Sequence, residues 1–327
     1  LDYTITEFPY FSFLLGDLHP HVMSIPFNLL FMAFSLNVFL SPAALGARWV
    51  WEHRGTVFVA SLLLGALAFI NVWDLVPFAV LWSALLVFKA LRQEEGEWVR
   101  VLPRVWLPIS VTLGLAILMY LPYYFSMESQ ASGILFVGEV GTRPVHLLLI
   151  WGLFLAVVLP FLLRQLPMAS FRRADRTAAQ GVDDGSARPA STPLAARWSE
   201  FLAGTKEFWP RAAAALLIVF LPLFAWSSWQ LGWSTLGLGP GDPFAVLAQR
   251  FLNTLPRALL LFVALYSLIP HAEAGATAMV FILAVLSLAL LLIMGPEFLR
   301  VDDLFHNRMN TIFKLYYQVW TLLAIAS

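Results

Sequence analysis

The sequence contains no cysteine among its 327 residues. This absence excludes disulfide bonds, thiolate metal sites and cysteine nucleophiles, and it leaves the redox compartment undecided. Charged residues are also scarce, at 12% of the chain against 60% hydrophobic residues, whereas about a quarter of the residues in a soluble domain are charged. The chain lacks a Walker loop, a GxSxG nucleophile elbow and an internal repeat. Such a composition is typical of a protein of the lipid bilayer.

Long apolar runs make up most of what is present. There are nine candidate runs, most of them near the length that a helix needs to cross about 30 Å of hydrocarbon. They predict an all-α fold, a polytopic transmembrane helical bundle with about nine spans. The seventh run resembles a buried or interfacial helix more than a span, because Asn253, Pro256 and Arg257 interrupt it. The predicted spans are 22–40, 55–73, 75–91, 105–125, 145–163, 212–229, 251–269, 275–294 and one from 311 onward.

The distribution of cations predicts the orientation of the bundle, since lysine and arginine are retained on the cytoplasmic side during insertion. Alternating the nine spans places fourteen of the twenty Lys and Arg residues on one side. We predict that this side is cytoplasmic and that residues 1–21 lie outside.

Three segments follow from this topology. Residues 1–163 form an outer-face motif segment and five helices, and residues 212–327 form four more helices with outer loops. Residues 164–211 form a cytoplasmic loop, disordered in part because of its Ala, Arg, Asp, Gly, Ser and Pro content, with an interfacial helix near its end. Because the chain begins with Leu1 and stops inside an apolar run, we expect it to be an internal piece of a longer protein.

The first polar motif, EFPYFSFLLGDLHPH at residues 7–21, places Glu7, Asp17, His19 and His21 just before the first span. Pro20 suits the first turn of a helix, so His19 or a neighbour is expected at the N-cap. In one interpretation Asp17 complements the helix dipole while the histidines lie among lipid headgroups. In the other, an acid and two imidazoles at a membrane surface exchange protons or hold a divalent metal ion.

The second motif is NVWDLVP at residues 71–77, on the same predicted face. Its simplest interpretation is a turn in which Asp74 caps the next helix, Asn71 shapes the corner and Trp73 joins the interfacial aromatic belt. Its alternative is a contribution to a binding site.

The third motif spans residues 295–314 and contains Glu297, Asp302, Asp303, His306, Arg308, Asn310 and Lys314. Two cations near a helix N-terminus face the positive end of the helix dipole, an arrangement that favours binding of an anion such as phosphate. The alternative is snorkelling of both side chains into headgroup phosphates.

All of these motifs fall on one predicted face, although the orientation was assigned without the acids and histidines. Ionisable residues at membrane depth are costly and usually functional. Asn28 and Asn37 are the notable polar residues within spans, and neither ionises, which argues against a midplane transport site. The sequence therefore predicts an outer-face site.

The segments EFPYFSFLLGDLHPH, NVWDLVP and NRMNTIFKLYYQVW follow the order and spacing of the YYY family of bacterial and archaeal polytopic membrane proteins, which the whole chain resembles. That family is similar to the GT-C class of membrane glycosyltransferases. The resemblance implies a prokaryotic plasma-membrane protein that takes a sugar from a polyprenyl-phosphate donor at the extracytoplasmic face. Its partners would be the bilayer and the lipid-linked sugar, and no nucleic acid is expected.

The resemblance also implies residue roles. Asp17 would act as acid, base or metal ligand, with His19, His21 and Glu7 beside it, and a divalent metal ion is a possible cofactor. Donor phosphate and acceptor would be held by the remaining motif residues: Asn71, Trp73, Asp74, Asp302, Asp303, Arg308, Asn310 and Lys314. The family's tyrosine triplet and first acidic loop lie upstream of residue 1, which leaves open whether the catalytic acid is within this chain. A transporter or permease for a lipid-linked or polar solute is the alternative function, and a membrane scaffold is a third.

Overall fold

The structure is a computed structural model that describes residues 9–16, 18–94, 96–128, 131–138, 141–165, 194–237 and 242–327. Side chains are described throughout these ranges except for residue 11 and residues 194–208. The predicted disorder of the cytoplasmic loop therefore lies largely outside the described residues, as do Glu7 and Asp17.

Twelve helices and two short strands make up the described part of the chain. Local sequence sets several of their ends. Pro20 occupies the first turn of α2, where its missing N–H is not needed. Asp242 caps α10, since its carboxylate accepts hydrogen bonds from the backbone N–H groups of Phe244 and Ala245 at 3.0 and 3.2 Å. The elements are α1 (Pro9–Leu15), α2 (Pro20–Leu40), α3 (Ala47–Glu52), α4 (Arg54–Ile70), α5 (Val72–Gln93), α6 (Trp98–Leu118), α7 (Leu121–Ser126), β1 (Gly133–Phe136), α8 (Pro144–Gln165), α9 (Leu194–Thr235), α10 (Pro243–Glu273), α11 (Thr277–Met294), β2 (Leu299–Asp302) and α12 (Met309–Ala326).

The predicted fold class is confirmed: the described residues form an all-α polytopic bundle in which seven helices are long and apolar enough to cross a membrane. The seventh run, which resembled a buried or interfacial helix in the sequence, is among these seven. It forms one 31-residue helix, α10, that continues through Pro256 and Pro270. Two predicted spans are shorter or more polar than expected. α4 has 17 residues and ends at Ile70, where Asn71 adopts an extended conformation, and α12 has 18 residues, two of which are Asn310 and Lys314.

Close helix contacts hold the bundle together. α4 packs on α6 at Gly65, where a Cβ atom would lie 2.3 Å from Tyr120 Cδ2 and 2.6 Å from the Ala116 carbonyl oxygen. The residue must therefore be glycine for the helices to approach this closely. Elsewhere large aromatic side chains fill the interior, as where Trp151 contacts the rings of Tyr316 and Trp320 at centroid distances of 4.9 and 5.2 Å.

The helices alternate in direction, so that α2, α5, α10 and α12 begin at one end of the bundle, which we call the motif end. Both strands also lie there. β1 pairs antiparallel with β2, with Gly133 opposite Asp302 and Phe136 opposite Leu299. The sequence did not predict this pairing, which ties the loop before α8 to the connection between α11 and α12.

Candidate functional site

His19 and His21 lie at the start of α2. His19 occupies the N-cap position, as expected, but its side chain makes no capping hydrogen bond. His21 is buried, with its ring 4.1 Å from Tyr317 and 4.6 Å from Phe313 between centroids. The exposed His19 ring lies 5.2 Å from His21. The first motif is therefore packed on α12, and one imidazole is solvent-exposed while the other is enclosed by aromatic rings.

Tyr317 links a further element to this cluster. Its hydroxyl group and that of Ser12 are hydrogen-bonded at 2.5 Å, which fixes α1 against the bundle. The outward side of α1 is apolar, since Tyr10, Phe13 and Leu14 are each more than 60% exposed. An apolar surface is thus placed directly beside the histidines.

Asp74, the carboxylate of the second motif, is fully buried. Its Oδ1 atom accepts a hydrogen bond from Asn71 Nδ2 at 3.1 Å and another from Gln318 Nε2 at 2.6 Å. The side chains of Ser24 and Asn28 also face this carboxyl group. α2, α5 and α12 therefore meet around Asp74, which is an internal residue and not a surface cap.

Lys314 and Trp73 form the second link between α12 and α5. The Lys314 ammonium nitrogen lies 4.7 Å from the centroid of the Trp73 ring, within range of a cation–π interaction. Lys314 is half-buried, and Asp303 attracts it electrostatically. One cation from the third motif is thus held on an aromatic platform from the second.

Asp302 and Asp303 have different surroundings. Asp303 is buried, accepts a hydrogen bond from Asn310 Nδ2 at 2.7 Å, and accepts another from the backbone N–H of Phe305 at 3.0 Å. Asp302 is more exposed, lies 3.9 Å from His306 and accepts a hydrogen bond from Ser132 at 2.8 Å. Asp303 and Asn310 thus order the turn into α12, while Asp302 keeps contact with solvent.

Arg308 belongs to a buried ion cluster that the sequence did not predict. Glu297, which is fully buried, accepts charge-assisted contacts from Arg257 at 2.7 Å and Arg308 at 3.1 Å, and Arg250 lies 3.8 Å away. The Glu297 side chain also accepts a hydrogen bond from the Thr142 backbone N–H at 2.9 Å. Direct phosphate binding by Arg308 stays a prediction, and its 2% exposure suits a structural role better.

Two signals in the sequence pointed to this ion cluster. Arg250 and Arg257 are seven residues apart, a spacing that places both on the same face of a helix. They are also cations on the predicted non-cytoplasmic side, where such residues are less common. The sequence did not indicate that Glu297 is the partner of Arg257, because the two residues are 40 positions apart and a turn and a whole helix lie between them.

The structure thus brings together residues from all three motifs, because His21 contacts Phe313 and Trp73 contacts Lys314. Tyr317 and Gln318, which follow the third motif on α12, contact His21 and Asp74. Asp302 lies on β2, and no contact between it and His19 or His21 is found within the described residues. In the same part of the chain, no group of three His, Cys, Asp or Glu side chains is arranged to hold a metal ion. The predicted divalent metal remains a prediction, because Asp17 lies outside the described residues.

A family model described as "Uncharacterized membrane protein (DUF2298)" matches residues 1–323. No curated protein and no solved structure matches the chain.

Proposed function

The chain belongs to the DUF2298 family of uncharacterized membrane proteins, and on this premise we propose that it is a glycosyltransferase using a polyprenyl-phosphate sugar donor at the extracytoplasmic face. One observation carries the proposal: three motifs far apart in sequence meet at the motif end, beside an exposed apolar surface. A lipid-phosphate donor requires this combination, because its chain stays in the bilayer while its phosphate and sugar need polar partners.

Lys314 is the proposed contact for the donor phosphate. Its ammonium lies on the Trp73 ring, and it is half-buried, so an incoming phosphate would replace little water and gain a charge-assisted contact. The Trp73 ring is also suited to pack against a sugar face or an isoprenoid chain. Arg308 is assigned a positioning role, because its guanidinium is committed to Glu297 at the start of α12.

The lipid part of the donor would lie along α1. Phe13, Leu14, Leu15 and Leu18 are exposed, and Ser12 anchors the same helix to Tyr317. Because Tyr317 also contacts His21, a lipid on the outer side of α1 would bring its phosphate close to the first and third motifs.

The proposed reaction breaks the bond between the anomeric carbon and the phosphate oxygen and forms a bond from that carbon to an acceptor hydroxyl oxygen. The acceptor proton passes to a base, and polyprenyl phosphate leaves as the anion. Asp17 is the proposed base, with Glu7, His19 and His21 in supporting roles, since general bases need to be within hydrogen-bond reach of the proton they take. Asp302, with its accessible carboxylate, would orient the acceptor. No step is assigned to a metal ion.

The experiment is a transfer assay with purified full-length protein in lipid nanodiscs, a panel of radiolabelled polyprenyl-phosphate sugars and an extract of cell-envelope acceptors. We expect label to pass from the lipid phase to an acceptor. Lys314→Met should raise the KM for donor by about tenfold or more, because a charge-assisted hydrogen bond contributes about 1.5–3 kcal/mol. Arg54→Met removes an exposed cation at the opposite end of the bundle and should leave KM unchanged.

A different result would refute the proposed sugar transfer. If no donor is consumed, but proteoliposomes move a lipid-linked or polar solute across the membrane and Lys314→Met abolishes that flux, the protein is a transporter and the proposal is wrong.

A further inference from the structure

The interior around Asp74 contains three buried oxygen atoms that lack a hydrogen-bond donor among the described residues. They are Asn28 Oδ1, Asp74 Oδ2 and Gln318 Oε1, which come from α2, α5 and α12. The three side chains are 2%, 0% and 1% exposed. Buried polar atoms are nearly always satisfied, so three unsatisfied acceptors around one carboxylate call for an explanation.

The hydrogen bonds that these amide groups donate go to other acceptors. Gln318 Nε2 donates to Asp74 Oδ1 at 2.6 Å, and Asn28 Nδ2 donates to Ser24 Oγ at 3.4 Å. Asn71 Nδ2 also donates to Oδ1. Rotating either amide to satisfy its oxygen would withdraw the nitrogen from its present acceptor. In this arrangement Asn28 Oδ1, Asp74 Oδ2 and Gln318 Oε1 receive none of the hydrogen bonds that the described side chains donate.

Charge is also unbalanced at this site. Ser24, Asn28, Asn71 and Gln318, the side chains that face Asp74, are all neutral. Along α2 and α12, the titratable residues near these side chains in sequence are His21, Tyr317 and Lys314. The Lys314 ammonium is turned to the Trp73 ring, and Tyr317 contacts His21. An isolated carboxylate in an apolar interior carries a large desolvation penalty, which a bound positive charge would offset.

We propose that Asp74, Asn28 and Gln318 bind a monovalent cation of the size of Na⁺, with Ser24 Oγ as a further oxygen ligand. Hard cations prefer carboxylate, amide and hydroxyl oxygen atoms, which are the groups present. One carboxylate neutralises one positive charge, so a divalent ion would leave a net charge buried in the bundle. This inference does not rest on the proposed sugar transfer.

The ion would act as a structural clamp for the motif end. It joins α2, α5 and α12, and these helices carry His21, Trp73 and Lys314 respectively. Binding would therefore fix the relative positions of the three motifs without touching a substrate.

The test measures thermal unfolding of the purified full chain in detergent at pH 7.5, over a series of NaCl concentrations with ionic strength held constant by N-methyl-D-glucamine chloride. We expect the Tm to rise by several degrees and to saturate, because an ion that binds only the folded state stabilises it. Asp74→Asn should abolish the dependence on Na⁺. Ser35→Ala, which alters another buried polar side chain of α2, should retain it.

A second measurement does not depend on the stability of the variants. Binding of ²²Na⁺ to wild-type protein should saturate at one ion per chain, and Gln318→Met should weaken it at least tenfold. The proposal is overturned if Tm does not respond to Na⁺ and no ²²Na⁺ binds. A Tm that rises only on acidification, in wild type but not in Asp74→Asn, would show that Asp74 holds a proton in place of the cation.

Discussion

Replacing Glu297 by glutamine should be among the most destabilising single changes in this protein. Glu297 is fully buried and is the carboxylate that Arg257, Arg308 and Arg250 share. Glutamine has nearly the same volume, so no cavity forms. The change instead removes the buried negative charge that three guanidinium groups share and turns an amide N–H2 toward donors that need an acceptor.

The expected magnitude follows from this geometry. Removing one partner of a buried ion pair costs about 3–5 kcal/mol, because the remaining charge stays desolvated. This corresponds to a loss of about two to three and a half orders of magnitude in the folding equilibrium constant. The Thr142 N–H, which donates to Glu297 Oε2, also loses a charged acceptor, so the loop before α8 should loosen as well.

The assay is reversible unfolding in mixed micelles, titrated with sodium dodecyl sulfate and followed by circular dichroism. Glu97→Gln is the matched control, since it makes the same substitution in an exposed pair with Arg100, in which the side chains are 56% and 65% exposed. That variant should lose less than about 1 kcal/mol. Equal losses for Glu297→Gln and Glu97→Gln would refute the assignment of a desolvated, charge-paired cluster.

Three further predictions test packing, topology and chemistry. Gly65→Ala should lower the free energy of unfolding by about 1–3 kcal/mol through overpacking, measured in the same titration. Gly55→Ala in the same helix should be neutral, because its added Cβ atom meets no atom within 4 Å. Equal effects of the two changes would contradict the close α4–α6 contact. Because the chain has no cysteine, single cysteines can report the orientation of the bundle. A cysteine at the exposed position of Leu304 should react with an impermeant maleimide in intact cells, and one at the exposed position of Arg48 should react only after lysis. The reverse pattern would show that the predicted membrane orientation is inverted. Asp17→Asn should lower kcat for sugar transfer at least about 100-fold while leaving donor KM near wild type, and unchanged kcat would exclude Asp17 as the base.

The sequence by itself determined the class of fold and most of the helices. An apolar run of about 20 residues can satisfy its backbone in lipid only as a helix, so each span is a local property of the chain. The start of α2 is also a local property of the chain, because Pro20 suits the first turn of a helix. The location of the three motifs at one end of the bundle also followed from the sequence, because alternating spans place every second connection on the same side.

The tertiary structure decided which polar groups are buried and with what partners. Arg308 and Lys314 looked alike as cations near one helix start, yet one pairs with a buried carboxylate and the other lies on a tryptophan ring. Asp74 had the sequence context of a helix cap, yet it is an interior residue that accepts a hydrogen bond from Gln318. Composition and periodicity do not distinguish these outcomes, because desolvation depends on neighbours supplied by other helices.

The pairing of the two strands and the pairing of Glu297 with its arginines could not be predicted from the sequence, for the same physical reason. β1 and β2 are four residues each, too short for an alternating pattern. Gly133 lies opposite Asp302, although about half of the chain separates the two residues in sequence. Arg250, Arg257 and Glu297 converge only after α10 and α11 have packed side by side. Local preferences select the helices, whereas contacts between residues distant in sequence set the charge and the partners of each buried group.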